Sequence, residues 1–443
     1  MQTFEITGGT PLLGTIEVGG AKNVALKLLV ASLLTDDELI IHNVPKLRDV
    51  LFMLDVLKSL GVKESFVGNT VRIQGGANVA TTVPLEVGAR LRTSSMVLGP
   101  MLARFGEAKL PNPGGCRIGA RPIDRHIEGL KKMGATISYH SDDGYFYGVA
   151  KKLTGADITF EKNTHTGTET LILAAVLASG KTILRNAASE VEVDDLIGFL
   201  NSMGARIQRT AENEITIDGV ESLHGSEYTV MPDRNEEVTF AIAAVVTKGD
   251  LTIKNSQRNN LESFIQKFSQ VGGGIEEIDD KTTRYYYKEP LKASDIMTQR
   301  YPGFMTDWQA PWALLMTQSE GVSTLHETVF ESRFSYVSEL KKMGAVIEFY
   351  TPKVADPEKF YNFNWDDKVE GYFQGIRITG PTALHNAVLS IDDLRAGATL
   401  VLAALSANGQ SYVHGVEQVD RGYEKIEKRL SRVGAHIKRI EEE

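Results

Sequence analysis

Residues 171–184 read Leu-Ile-Leu-Ala-Ala-Val-Leu-Ala-Ser-Gly-Lys-Thr-Ile-Leu. The first nine are apolar or small on every side, which predicts a helix that is buried all round rather than on one face. Gly180 then ends the helix, and residues 181–184 are typical of a strand. A fully buried helix followed at once by a strand is the unit from which the fold can be derived.

The same unit recurs six times along the chain. The predicted buried helices cover residues 24–34, 93–105, 171–179, 238–247, 310–317 and 396–407. Between them lie amphipathic segments that each end in a glycine, namely Gly61, Gly134, Gly204, Gly272, Gly344 and Gly434. A glycine after a helix predicts a left-handed C-cap, and a short strand follows each one. Successive glycines are 73, 70, 68, 72 and 90 residues apart.

The repeat predicts two domains of three units each, because units of about 70 residues are too long for common solenoid repeats. We expect residues 20–231 to form the first domain and residues 1–19 with 232–443 to form the second. The first strand, residues 3–18, precedes the first buried helix, so we expect it to complete the sheet of the second domain. The extra length before Gly434 comes from residues 353–372, which are rich in Phe, Tyr and Asp. This stretch is either a surface hairpin or a partner-binding element.

Composition excludes several classes of protein. The chain has 443 residues, a net charge of −9 and one cysteine. A single cysteine rules out a disulfide framework within the chain, and the negative charge argues against non-specific nucleic-acid binding. The first residues lack the pattern of a signal peptide, and no apolar run reaches membrane-spanning length. We therefore expect a cytoplasmic protein without a membrane span or nucleic-acid partner.

The cysteine lies in residues 113–124, Pro-Gly-Gly-Cys-Arg-Ile-Gly-Ala-Arg-Pro-Ile-Asp. Arg117 and Arg121 flank Cys116, and nearby cations favour the reactive thiolate. Pro122 is a plausible first residue of a helix, whose free N–H groups would attract an anion. The pattern predicts a catalytic loop; the alternative is an inert buried thiol.

Charged residues also mark the starts of the predicted buried helices. They are Lys22-Asn23, Arg92, residues 166–168, Asn235-Glu236, Thr306-Asp307 and residues 393–395. Ordinary helix capping explains the threonines and aspartates. It does not explain Lys22, Arg92 and Arg395, because a cation at a helix N-terminus is locally unfavourable. These cations predict a bound anion.

Several motifs together carry a family resemblance. They are residues 20–23 (Gly-Ala-Lys-Asn), 43–46 (Asn-Val-Pro-Lys), 114–124, Thr306-Asp307, 330–334 (Phe-Glu-Ser-Arg-Phe), 393–396 (Asp-Leu-Arg-Ala) and 420–424 (Asp-Arg-Gly-Tyr-Glu). In this order they resemble the enolpyruvyl transferase family, in particular the UDP-N-acetylglucosamine 1-carboxyvinyltransferases. The resemblance implies an α/β fold of two inside-out domains, each of three repeats with buried helices. It also implies transfer of the enolpyruvyl group of phosphoenolpyruvate to the 3′-hydroxyl of UDP-N-acetylglucosamine, with release of phosphate.

The resemblance assigns roles to single residues. Cys116 matches the general acid that also forms a covalent adduct, and Asp307 matches the base near the sugar hydroxyl. The phosphate-binding cations match Lys22, Arg121 and Arg421, with Arg92 beside them. Arg333 and Arg395 match residues that close over the substrate carboxylate and phosphate, and Asp393 matches a partner that orients them. The remaining substrate-binding positions are Asn23, Pro122, Ile123, Asp124, Arg125 and Val329.

No cofactor or metal is implied, since the nine histidines show no paired ligand spacing. The chain departs from the family pattern at residues 163–169 and 235–238, both expected on the nucleotide side. Another UDP-sugar as acceptor therefore remains an alternative, as does a non-catalytic regulator that binds UDP-sugars. Arg395 and Arg421 paired with Asp393 and Asp420, and Asp307 as a mere helix cap, are the structural alternatives.

Overall fold

A computed structural model describes residues 2–114, 122–288, 290–367 and 371–441. Within them the chain divides into two compact units. The N-terminal unit comprises residues 20–114 and 122–231, and the C-terminal unit comprises residues 2–19 and 232–441. Each unit has its own cluster of buried apolar side chains. Cys116 and Arg121, both predicted site residues, lie outside the described residues.

The helices of the described residues, α1 to α14 in chain order, are Lys22–Val30, Arg48–Ser59, Leu85–Gly88, Leu98–Phe105, Asp124–Lys132, His165–Ala175, Val191–Ser202, Arg234–Val246, Glu262–Gln270, Gln309–Thr317, Tyr336–Lys342, Pro357–Phe360, Leu394–Ser406 and Ile426–Ser431. Helices α1, α4 and α6 lie in the core of the N-terminal unit, and α8, α10 and α13 lie in the core of the C-terminal unit. Every residue of α8 and α10 is buried. Beyond its charged first turn, residues 234–237, helix α8 is almost entirely apolar, and α10 is apolar over most of its length, so both suit a core position. Among the described residues, six short 3₁₀ segments lie beside or between the longer elements.

The strands of the described residues, β1 to β23 in chain order, are Gln2–Gly8, Leu13–Glu17, Glu38–His42, Lys63–Val67, Thr70–Gln74, Glu107–Pro111, Thr136–His140, Tyr145–Val149, Asp157–Thr159, Lys181–Arg185, Arg206–Ala211, Glu214–Asp218, Ser226–Thr229, Asp250–Lys254, Gly274–Asp279, Thr282–Tyr286, Ile296–Met297, Gly321–His326, Val346–Tyr350, Gly375–Gly380, Val388–Ser390, Gly409–His414 and His436–Glu441. The N-terminal unit holds the sheets β13-β3-β5-β4, β6-β8-β7 and β11-β12-β10-β9. The C-terminal unit holds β15-β16-β14-β2, β17-β18-β20-β19 and β21-β22-β1-β23. Each unit thus surrounds three buried helices with three small sheets.

The six repeated glycines end the amphipathic helices as predicted. All six have a positive φ, between +93° and +101°. The backbone must turn out of the helix there before the next strand begins, and glycine adopts this left-handed conformation without a steric penalty.

Several local predictions were wrong. The helix expected over residues 171–179 ends at Ala175, and Gly180 lies just before β10 rather than at the end of the helix. The single strand expected over residues 3–18 is two strands, β1 and β2, which belong to different sheets. The break follows Gly8, where an added Cβ would lie 2.1 Å from the carbonyl oxygen of Ala404, and Gly9 has a φ of +87°. Helix α5 begins at Asp124 rather than Pro122, because the Ile123 carbonyl accepts the first helical hydrogen bonds.

No helix in the described ranges is both long and apolar enough to cross a membrane.

Candidate active site

Lys22 is the first residue of helix α1, and its ammonium group lies beside a carboxylate of helix α2. The Nζ atom is 3.2 Å from Asp49 Oδ2, and the two side chains expose only 10% and 5% of their area. The positive end of the α1 helix dipole repels the charge of Lys22, and the first turn of α1 contains no acidic residue. Asp49 supplies the negative charge that offsets this repulsion. An ammonium group has three donors, so Lys22 keeps the capacity to bind an anion as well.

Two arginines of the N-terminal unit gather near the start of helix α6. Arg92 begins the 3₁₀ segment Arg92–Val97 that leads into α4, and Arg125 follows the first residue of α5. Burial, together with the charges of Arg92 and Arg125, lowers the pKa of His126 to about 3. The ring is therefore neutral, and its Nε2 lies 3.0 Å from Thr166 Oγ1 on α6. His126 thus contacts the start of buried helix α6 and lies within the electrostatic influence of both arginines.

The other predicted residues of this unit lie at the same helix starts. Asn23 follows Lys22 on α1 and is half-buried. Ile123 is buried, Pro122 is half-buried, and Asp124 is exposed as the first residue of α5. Three cations, Lys22, Arg92 and Arg125, thus lie at or beside helix starts of the N-terminal unit, where a bound anion is stabilised.

Asp307 is the centre of a charged cluster in the C-terminal unit. It lies in the 3₁₀ segment Thr306–Trp308 that leads into α10. Its Oδ1 accepts a hydrogen bond from Arg333 Nη2 at 2.6 Å, and its Oδ2 accepts one from Arg395 Nε at 3.2 Å. The carboxylate is therefore held by two guanidinium groups, and it still exposes 23% of its side-chain area. Asp307 is more than a helix cap.

Arg333 is buried and has carboxylates on several sides. Burial alone would lower its pKa, but the charges of Asp307, Asp393 and Glu327 outweigh burial and raise the pKa above its usual value. Arg333 Nη1 also donates to Thr306 Oγ1 at 2.8 Å. The guanidinium is thus permanently charged and fixed by two neighbouring residues of one turn.

Arg395 is buried in helix α13 against the ring of Tyr423. Its guanidinium carbon lies 5.2 Å from the ring centroid, within the range of a cation–π contact. Burial would lower its pKa, but Tyr423, Asp307 and Asp233 raise it well above the usual value. Within the described part of the chain, the buried Nη1 of Arg395 has no hydrogen-bond partner.

The carboxylates of Asp393 and Asp420 have partners other than the side chains of Arg395 and Arg421, the pairing that was the structural alternative to substrate binding. Asp393 is the N-cap of α13 and accepts hydrogen bonds from the backbone N–H groups of Arg395 and Ala396. Asp420 accepts from both terminal nitrogens of Arg439, at 2.8 and 2.6 Å. The side chain of Arg395 pairs with Asp307 instead of Asp393, since the helix start orients Asp393 toward the backbone.

Arg421 and Val329 complete the C-terminal group. Arg421 ends the 3₁₀ segment Val416–Arg421, which packs against α13, and it donates to Gln418 Oε1 at 3.3 Å. Val329 is half-buried, and its backbone N–H donates to Glu327 Oε1 at 2.8 Å.

In the C-terminal unit the structure joins Asp307, Arg333 and Arg395 by hydrogen bonds, and in the N-terminal unit Arg92 and Arg125 both lie close enough to His126 to lower its pKa. Sequence reasoning gave no role to Asp49, which pairs with Lys22, to Glu327, which reaches Arg333 through Thr306, or to Tyr423, which packs against Arg395. Tyr423 lies inside the motif 420–424, Asp49 lies three residues after the motif 43–46, and Glu327 directly follows strand β18. Among the described residues, no group of His, Cys, Asp or Glu side chains could hold a metal ion.

Comparisons with known proteins agree on one family. Residues 6–430 match the family described as EPSP synthase (3-phosphoshikimate 1-carboxyvinyltransferase). A UDP-N-acetylglucosamine 1-carboxyvinyltransferase from Acidobacterium capsulatum is 43% identical over 99% of this chain and 96% of its own length. The protein of the same name from Desulfovibrio desulfuricans is 44% identical over 99% of both chains.

Solved structures show the same fold. The enolpyruvyl transferase NikO from Streptomyces tendae has a TM-score of 0.85 at 23% identity, covering 99% of both chains. The EPSP synthase from Acinetobacter baumannii has a TM-score of 0.73 at 19% identity, covering 100% of both chains. The predicted α/β enolpyruvyl transferase fold is confirmed. By full-length similarity to curated relatives and by the family match, the chain belongs to the enolpyruvyl transferase family, alongside proteins named UDP-N-acetylglucosamine 1-carboxyvinyltransferase.

Proposed function

We propose that this protein transfers the enolpyruvyl group of phosphoenolpyruvate to the 3′-hydroxyl of UDP-N-acetylglucosamine and releases phosphate. One observation carries the proposal: relatives with this activity in their name are 43–44% identical over 99% of the chain. We also propose that the protein acts in the cytoplasm, at the first committed step of peptidoglycan synthesis.

The reaction sets three chemical requirements. A proton must reach the methylene carbon of phosphoenolpyruvate, which gives the neighbouring carbon oxocarbenium character. The sugar oxygen then forms a bond to that carbon while a base takes the hydroxyl proton. In the second half, the bond between that carbon and the phosphate oxygen breaks and phosphate leaves. The methyl group then loses a proton, and the carbon–carbon double bond forms again. Cations must hold the phosphate and carboxylate throughout.

The acid and the donor-binding cations come from the family motifs. Cys116 is proposed as the group that protonates carbon. Lys22, Arg121 and Arg421 are proposed to hold the phosphate, with Arg92 beside them. The buried position of Lys22 supports its part, because an ion pair with phosphate is stronger where water is excluded.

The acceptor side of the proposal rests on Asp307. Both arginine contacts favour the ionised carboxylate, so Asp307 is ready to accept a proton, but they also weaken it as a base. The buried Nη1 of Arg395, which has no partner among the described residues, is a donor for the substrate carboxylate or phosphate. An anion bound at Nη1 interacts with the same guanidinium charge that stabilises the Asp307 carboxylate. Asp307 is then stabilised less by Arg395, so it binds a proton more readily when phosphoenolpyruvate is bound.

The remaining positions are proposed to bind the acceptor and to orient the arginines. Asn23, Val329 and residues 122–125 contact the sugar nucleotide. Asp393 holds the backbone of Arg395 at the helix start, and Arg333 holds Asp307.

Phosphate release tests the proposal. The protein is incubated with both substrates, and with each substrate alone, and inorganic phosphate is measured over time at several pH values. We expect release only when both are present. No release with UDP-N-acetylglucosamine but release with another UDP-sugar would identify a different acceptor, and no release with any UDP-sugar would overturn the enzyme proposal.

The cysteine is tested separately. Cys116→Ala should abolish most of the turnover, because no other residue of the motif supplies a thiol. Fosfomycin, an epoxide that alkylates the cysteine of this family, should add its mass at Cys116. Unchanged turnover of Cys116→Ala would remove the thiol from the mechanism while leaving the activity intact.

A further inference from the structure

Glu327 is a buried carboxylate next to the Asp307 cluster that none of the proposed roles uses. It directly follows strand β18 and exposes 1% of its area. Its Oε1 accepts hydrogen bonds from Thr298 Oγ1 at 3.0 Å, Val329 N at 2.8 Å and Phe330 N at 3.2 Å. Its Oε2 accepts from Thr306 Oγ1 at 2.8 Å. One carboxylate therefore fixes three separate segments of chain.

The Thr306 hydroxyl links Glu327 to the proposed base. The same Oγ1 that donates to Glu327 accepts from Arg333 Nη1 at 2.8 Å. Arg333 Nη2 then donates to Asp307 Oδ1 at 2.6 Å. The chain of hydrogen bonds runs from Glu327 through Thr306 and Arg333 to Asp307, and every member except Asp307 is buried.

Charge gives Glu327 a second influence on the same group. Arg333 is buried, and Glu327 is one of the three carboxylates whose charges keep its guanidinium ionised. Without the charge of Glu327, Arg333 would depend more on Asp307, since interactions between buried charges are weakly screened. Asp307 would then be a weaker base and less free to orient toward a substrate hydroxyl.

We propose that Glu327 is a positioning residue for the acceptor side of the reaction. Through Thr306 and Arg333 it sets the orientation and basicity of Asp307, and through the backbone of Val329 and Phe330 it sets the loop that carries Val329. The inference rests on the proposed function, because it assigns Glu327 a part in bringing the base to the acceptor hydroxyl. A displacement of about 1 Å in such a constellation is enough to lower a rate about 100-fold.

The C-terminal unit contains another buried carboxylate that serves as a control. Glu339, on α11, is 8% exposed and accepts from Ser390 N at 3.0 Å and from Lys342 Nζ at 2.9 Å. These bonds join α11 to strand β21, and Glu339 lies outside every motif assigned to a substrate. Replacement by Gln removes one carboxylate charge from a buried position at either site.

The first experiment compares Glu327→Gln with Glu339→Gln in the full-length protein. Phosphate release gives kcat and the KM for each substrate, and thermal unfolding gives stability. We expect Glu327→Gln to lower kcat roughly 10- to 100-fold and to raise the KM for the UDP-sugar. Glu339→Gln should lower Tm and keep both constants within about twofold of wild type.

A second pair isolates the route through Thr306 and does not depend on Glu327→Gln folding. Thr306→Val replaces the hydroxyl by a methyl group of similar size, whereas Thr306→Ser keeps the hydroxyl. Thr306→Val should lower kcat about tenfold with little change in the KM for the UDP-sugar, because the Val329 loop keeps its bonds to Glu327. Thr306→Ser should restore kcat to within about twofold of wild type.

The outcomes separate this inference from the proposed function. If wild type releases no phosphate with any UDP-sugar, the proposed function fails. If wild type is active but Glu327→Gln matches Glu339→Gln in kcat and KM, or if Thr306→Ser and Thr306→Val are equally impaired, the positioning role is wrong. A purely structural Glu327 would lower Tm and leave the kinetics of the folded enzyme unchanged.

Discussion

The two charged groups of this protein are built in opposite ways. In the N-terminal unit one carboxylate, Asp49, steadies the cation Lys22, and Arg92 and Arg125 add further positive charge. In the C-terminal unit two arginines steady one carboxylate, Asp307, within a cluster whose carboxylates outnumber its arginines. The first arrangement suits a bound polyanion and the second suits a group that accepts a proton. The contrast lies in the central charge, which is a cation in the N-terminal unit and a carboxylate able to accept a proton in the C-terminal unit.

The largest expected effect comes from replacing the central carboxylates. Asp307→Asn should lower kcat about 10²- to 10⁴-fold, since it removes the proposed base. Asp49→Asn should lower kcat/KM about tenfold at most, because Lys22 keeps its charge and loses only the ion pair that positions its ammonium group. Phosphate release measured for both variants under saturating donor checks the difference.

Thermal unfolding provides the control for this pair. Each substitution leaves a buried cation with less compensation, so both should lower Tm. Equal losses of kcat in the two variants, at similar Tm, would contradict the assignment of the base to the C-terminal unit.

The next largest effect is a difference between two lysines of helix α1, one expected to act in catalysis and the other in stability. Lys22 pairs with Asp49, and Lys27 pairs with Glu169 at 3.1 Å in the interior of the same unit. Lys22→Met should lower kcat/KM for phosphoenolpyruvate about 10²- to 10³-fold, as expected for a group that stabilises transition-state charge. Lys27→Met should lower the free energy of unfolding by about 3–5 kcal/mol and leave the kinetics of the folded enzyme intact, because Glu169 loses its buried partner.

Steady-state kinetics and denaturant unfolding on both lysine variants decide this point. If Lys27→Met also raised the KM for phosphoenolpyruvate, the anion site would extend into the core and Lys22 would lose its special position.

The smallest effect concerns pH and His126. The folded pKa of about 3 lies below the unfolded value of about 6.5, so the unfolded chain binds the proton first as pH falls. The stability due to the neutral ring is complete above pH 6.5 and is lost as pH falls toward 3. Between pH 7 and pH 5 the loss is about 2 kcal/mol.

The variant His126→Gln isolates this contribution. Its free energy of unfolding should fall by about 2 kcal/mol less than that of wild type between pH 7 and pH 5. His326→Gln in the C-terminal unit is the comparison, because burial also lowers the pKa of His326 but the ring is only half-buried. Identical pH dependence in wild type and His126→Gln would show that the ring is not held neutral.

Local structure was predictable wherever one residue type has a strong conformational preference. The repeated glycines, from Gly61 to Gly434, end their helices as expected, because few other residues tolerate a positive φ. The buried helices were also recognisable, since an apolar surface on all sides is stable only in a core. The break between β1 and β2 was missed because close packing of Gly8 against the Ala404 carbonyl is invisible in the sequence.

For the candidate site, the motifs named Asp307, Arg333 and Arg395, and their proposed roles stay predictions. Proximity in sequence suggested, as the alternative to substrate binding, that Arg395 pairs with Asp393 and Arg421 with Asp420. The structure pairs the Arg395 side chain with Asp307, 88 residues away, and Asp420 with Arg439. The predicted roles of Cys116 and Arg121 stay predictions, since both lie outside the described residues.

The sequence by itself determined the repeat, the α/β fold and the kinds of groups available for catalysis, because these depend on local preferences and on residue identity. Only the tertiary structure decided which carboxylate meets which cation. Ion pairs between side chains far apart in sequence depend on how helix starts and strand ends converge. That convergence brings Glu327 to Thr306 and Asp49 to Lys22, and it turns separate charged residues into two different chemical environments.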